Sequence, residues 1–132
     1  PTAPAADRFD AVVELSAPLD LTADGVGPGG VDADFERVQL DYLGCDVSPG
    51  CPDAQAASPL FAVDASDPPV FIVHAEEDFI PIEQAQTFAE SLDAAGVDVV
   101  FERRDGSEHA LGLLDDPLRD RIADWLRDTL RA

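Results

Sequence analysis

Glu76, Glu77 and Asp78 crowd the end of the apolar run Val70 to Val73, and His109 stands in a later loop, "RDGSEHA". A carboxylate and a later imidazole suit an Asp–His pair. In such a pair the carboxylate orients the ring and stabilises its protonated form, while the ring acts as general base. Asp78 and His109 are the candidate pair, and Glu76 or Glu77 could take the place of Asp78. The bland alternative is an Asp that caps the helix starting at Pro81, beside a surface His. His74 ends the apolar run and reads as a half-buried structural histidine rather than a second base. A metal site from His74, Asp78 and His109 has no HxH or HExxH spacing to support it.

The elements that would position this pair follow from the pattern around it. "VFIV", 70 to 73, is the continuous apolar run of a strand covered on both faces. Pro81 suits the first turn of a helix, and Ile82, Ala85, Phe88, Ala89 and Leu92 share one face of it, stopped by Gly96. "VDVVFER", 97 to 103, is the next strand. A last helix starts near Pro117, capped by Asp115 or Asp116, with Leu118, Ile122, Trp125, Leu126 and Leu130 as its buried stripe. Upstream, "AVVEL", 11 to 15, is a first strand candidate. "ADGVGPGGVDAD", 23 to 34, reads as a mobile loop. "DFERVQLDYLG" is a short helix, apolar at 35, 38, 40, 42 and 43 and ended by Gly44, and the stretch to Pro69 is an ordered surface excursion. Strand, helix, strand, helix in this order predicts a parallel α/β sheet of three strands. Functional groups gather beyond the carboxyl ends of such strands, which is where Asp78 and His109 both fall.

The 132 residues are enough for one domain with a modest core, and their apolar content of 45% is ordinary for a globular chain. With 28 acids against 8 bases, all of them Arg, the formal charge is −20. That field repels nucleic acid and anionic membranes. No run has the 18 or so apolar residues of a membrane span, and PTAPAADRFD lacks the features of a secretion signal, so a soluble chain of unknown address is expected. "GVGPGG" lacks the Lys-Ser/Thr of a phosphate loop. Cys45 and Cys51 could close a small disulfide loop, which would suit secretion, or remain free thiols; without nearby His they are a poor metal site.

"PPVFIVHAEEDFIPIEQAQTFAESLDAAGVDVVFERRDGSEHA" resembles the C-terminal segment of α/β-hydrolase-fold esterases and lipases. Those enzymes carry a Pro-Pro-strand-His-Gly-x-x-Asp-x-x-Val-Pro stretch, then a helix with Gln, Ala-Gly-Val, a strand and a Gly-x-x-His loop. "AVVELSAPLDL" and "DYLGCDVSPGCPDAQAASPL" are similar to the strand after the nucleophile and the cap region of bacterial feruloyl-esterase and hormone-sensitive-lipase types. The resemblance runs from about residue 8 to the end. It implies a single partial domain over 1–132, the C-terminal half of an α/β-hydrolase fold, with 23–69 as a cap-like excursion. It makes Asp78 the triad acid and His109 the triad base. Ala75 stands where the family has Gly, and Ile80 where it has Val; both changes are mild.

What the resemblance demands and these residues lack is a Gly-x-Ser-x-Gly elbow and an HGG-type oxyanion loop. Ser16 sits in Glu-Leu-Ser-Ala-Pro, without the small residues a strained elbow needs, and Ser58 and Ser107 are equally unsuited; all three read as structural. The leading expectation is therefore a serine hydrolase of carboxylic esters that needs no cofactor. Its Ser and oxyanion donors would lie in a missing N-terminal segment or a partner chain, and this chain alone would be inactive. The apolar edge left on strand 11–15 would be covered by that N-terminal half or by a second copy. Prolyl-oligopeptidase-type peptidases and dienelactone hydrolases are similar in this segment and are the enzymatic alternatives. A partner-binding remnant, indifferent to Asp78 and His109, is the alternative of another class.

Overall fold

The computed structural model describes residues 9–25, 31–45 and 51–131. Its three strands, β1 (Val12–Leu15), β2 (Val70–Ala75) and β3 (Val99–Arg104), form one parallel sheet in the order β1-β2-β3. Val70 lies opposite both Val12 and Val99, and the registers run in step to Leu15–Val73 and Ala75–Arg104. The helices are α1 (Ala33–Leu43), α2 (Ala54–Ala57), α3 (Ile82–Ala95) and α4 (Asp116–Thr129), with 3-10 turns at Pro59–Ala62 and Ala110–Leu113. This is the expected partial α/β sheet, flanked by helices.

Because β2 is the middle strand, all six of its residues are buried, which is why its apolar run is unbroken. Alternation then divides the core in two. Val70 and Ile72 pack with Ala85, Ala89 and Leu92 of α3, while Phe71, Val73 and Ala75 pack with Leu118 and Ile122 of α4. Trp125 seals the second layer edge-on against Phe71, with ring centroids 5.4 Å apart. Asp115 caps α4 by accepting from Leu118 N at 2.8 Å.

Several boundaries differ from the sequence reading for identifiable reasons. Strand β3 starts at Val99 rather than 97, because the Val97 N–H closes α3 on Leu92 O at 3.0 Å, past the left-handed Gly96. Helix α1 reaches back into the Gly-rich stretch, since Asp32 caps it on Asp34 N. Residues 26–30 of that stretch lie outside the described residues. The apolar positions of α1 do not all face inward. Val38 and Tyr42 are exposed, while Gln39 is buried with its Nε2 donating to Leu21 O at 2.8 Å. Leu130, expected in the α4 stripe, lies just past the end of that helix and is exposed.

Candidate active site

Each candidate side chain is held just beyond the carboxyl end of a strand. After β2 the chain turns sharply, and Ile80 N–H donates to Asp78 Oδ1 at 2.9 Å. After β3 it runs through Gly106 to His109, which precedes the 3-10 turn. His109 Nδ1 lies 3.0 Å from both Asp78 oxygens. A carboxylate only accepts, so Nδ1 carries the proton and donates, leaving Nε2 as the nitrogen able to take another. The Asp78 side chain is fully shielded, whereas that of His109 remains 37% exposed. Phe79 packs on the imidazole with centroids 4.3 Å apart and in turn meets Phe35 of α1 edge-on. The ring is thus pinned by one carboxylate and one aromatic face, with an edge left open.

The neighbouring acids have other duties. Glu76 pairs with Arg103 at 3.4 Å, both half exposed, and the exposed Glu77 is anchored by its own N–H on Gly106 O. The geometry therefore brings Asp78, and neither glutamate, to His109. His74 is not half-buried as expected but has no exposure at all, because β2 is central; its Nε2 lies 2.9 Å from Ile80 O. Ser58 is buried as a strut, donating to Ala54 O and accepting from Leu21 N. Ser16 is buried at the end of β1, and Ser107 is exposed in the loop before His109. Cys45 and Cys51 are joined as a disulfide.

Two residues to which the sequence reading assigned no role are buried polar groups near the strand ends. Gln84 of α3 is buried, accepts from Leu19 N and Asp20 N, and donates to Gly25 O, so it clamps the loop that leaves β1. Glu14, on β1, is buried against the sheet, with Oε1 accepting from Ala17 N. Burial pushes its carboxyl from the ordinary 4.5 up to about 7; the Ala17 N–H opposes this and the nearby Asp78 charge adds to it. Between pH 4.5 and about 7 the folded chain holds a proton on Glu14 that the unfolded chain has lost. Stability conferred by this group is therefore full below pH 4.5 and falls as pH rises to about 7. The loss across that window is on the order of 3 kcal/mol. Glu14→Gln is expected to remove this dependence, so that urea midpoints of variant and wild type diverge at pH 8 in favour of the variant. Parallel midpoint curves from pH 5 to 8 would show that Glu14 is not the group responsible.

Three parallel strands with an acid and a histidine beyond successive strand ends are part of an α/β-hydrolase fold. Within that class the chain belongs to the BD-FAE family, whose model matches residues 3–92. Among solved structures it is similar to the acetyl ester-xyloside bifunctional hydrolase of Caldicellulosiruptor lactoaceticus, at 25% identity and a TM-score of 0.65 over 86% of this chain and 38% of that one. Est2, a thermophilic esterase of Thermogutta terrifontis, is 25% identical with a TM-score of 0.59, over 92% of this chain and 41% of its own. A truncated carbohydrate esterase from gut microbiota shares the fold at a TM-score of 0.73 and 24% identity, over 94% of this chain and 44% of that one. The chain thus spans about two fifths of the length of these enzymes. No curated protein matches it.

Proposed function

We propose that this chain supplies the acid and base of a serine esterase acting on carboxylic esters. In this reading His109 Nε2 takes the proton of a nucleophilic serine and returns it to the leaving alcohol, and Asp78 holds the ring in that tautomer and stabilises the imidazolium. The observation that carries the reading is the 3.0 Å contact of His109 Nδ1 with a fully shielded carboxylate. The serine and the oxyanion donors come from residues outside these 132, since no Gly-x-Ser-x-Gly occurs among them. One oxyanion donor contributes about 3–4 kcal/mol to acyl transfer, so the chain alone turns over no ester. Strand β1, at an edge of the sheet, is where the nucleophile-bearing segment adds its own strand. The similar structures are named for acetyl-ester and carbohydrate-ester hydrolysis, which makes acetylated sugars the first substrates to try. The Cys45–Cys51 disulfide suits an oxidising compartment.

The test is fluorophosphonate labelling of the native preparation, followed by intact mass of every polypeptide and peptide mapping. Label is expected on a serine outside residues 1–132. Label on Ser16, which is 1% exposed, would place the nucleophile inside this chain and end the proposal. Absence of label anywhere would end the serine mechanism itself.

A further inference from the structure

Beneath the Asp78–His109 pair lies a group of polar atoms that the proposed mechanism does not use. Glu14 Oε2, Ser16 Oγ and His74 Nδ1 are each buried without a hydrogen-bond partner. They belong together. Val12, Val70 and Ile72 face α3, so Glu14 on β1 and His74 on β2 share that face by alternation. Ser16 follows directly, its N–H donating to Val73 O at 3.1 Å, which sets it beside His74 across strands spaced about 4.8 Å apart. Ser16 is also held at φ 57°, a left-handed conformation that costs a non-glycine residue about 1–2 kcal/mol. Three buried polar groups left alone would each cost about 1–3 kcal/mol. Their chemistry is complementary. Ile80 O can only accept, so His74 Nε2 donates to it, and in the neutral ring Nδ1 is an acceptor. A protonated Glu14 offers a donor at Oε2, and the Ser16 hydroxyl is both.

We propose that Glu14, Ser16 and His74 form one buried polar cluster, closed through an internal water, that holds the turn carrying Asp78. Glu14 and His74 are then positioning residues for the Asp78–His109 pair, an inference that rests on the role given to that pair above. The route is short. His74 Nε2–H holds Ile80 O at 2.9 Å, Ile80 N–H holds Asp78 Oδ1 at 2.9 Å, and the Asp78 carboxylate holds His109. Ile80 is itself wholly buried, so its peptide cannot find water instead. The elevated proton affinity of Glu14 is consistent with a neutral donor there. Near it, Asp78 in the turn after β2 adds its charge, and His74 shares its face of the sheet by alternation. Arg103, opposite His74 on β3, is engaged with Glu76, and Asp20, in the loop after β1, binds Thr22.

The test uses nitrogen-15 NMR of the histidine side chains of this chain, which needs no turnover. The His109 Nδ1–H resonance is expected downfield and slow to exchange in the wild type and in Glu14→Gln, whose amide can still donate. In Glu14→Leu and His74→Phe, each shown folded by its amide spectrum, that proton is expected to exchange at least about 10-fold faster, as oriented hydrogen bonds are lost. A folded Glu14→Leu that exchanges like the wild type overturns the proposal. If the apolar variants do not fold, the His74 ring nitrogens decide. Their shifts follow Glu14 through an inflection near pH 7 in the wild type, expected to vanish in Glu14→Gln. An inflection that persists there overturns it equally. Retained ester turnover in Asp78→Asn would instead remove the functional reading while leaving these NMR outcomes standing.

Discussion

Asp78→Asn is expected to lower kcat for ester hydrolysis by about 10⁴-fold, with KM little changed, in the proposed esterase that joins this chain to a nucleophile-bearing segment. The Asp78 side chain has no solvent exposure and both oxygens face His109 Nδ1. An amide there presents N–H where a carboxylate oxygen stood. The ring then keeps its proton on Nε2, the nitrogen that accepts from the serine in the proposed mechanism. Substrate binding does not depend on that tautomer, so the loss falls on kcat. Glu77→Gln serves as the control, because Glu77 is exposed and does not approach His109. Steady-state kinetics on an acetyl ester, with folding checked by circular dichroism, make the measurement. A loss of less than about 10-fold would leave the pair a structural contact, because positioned acid–base groups contribute about 10²–10⁴-fold.

Ile72→Ala is expected to destabilise the chain by about 3–5 kcal/mol, a large part of the roughly 5–15 kcal/mol that holds a domain of this size. Ile72 is at the centre of the middle strand with no exposure, packed among Val70, Ala85, Ala89 and Leu92. Removing its side chain opens a void that neither the sheet nor α3 can close without losing other contacts. Val100→Ala, on the edge strand and 38% exposed, is expected to cost under about 1 kcal/mol. Urea unfolding of both variants at one pH gives the comparison. Equal costs would mean that the interior is not organised around β2.

The pattern of residues was sufficient for the order and type of the main elements. Val70 to Val73 read as a covered strand, Gly44 and Gly96 as helix stops, and Ile82–Leu92 as a buried helix face, and each is so in the fold. Asp78 and His109 were legible because each lies just past a strand, and parallel strands bring successive carboxyl ends to one side of the sheet. Other features depend on which segment lies against which. Glu14, inside an otherwise apolar strand, carries no local sign that it would be buried. The choice of Asp78 over Glu76 and Glu77 was decided by the turn after β2, which hands Glu76 to Arg103 and leaves Glu77 in water. Gln39 went inward, where its Nε2 donates to Leu21 O, with Val38 and Tyr42 outward, which depends on where the loop after β1 lies. The chain by itself determined its strands, its helix stops and the neighbourhood of Asp78 and His109. Which carboxylate meets the imidazole, and which polar atoms are sealed beneath it, only the tertiary structure decided, because burial and hydrogen-bond partners belong to pairs of segments distant in the chain.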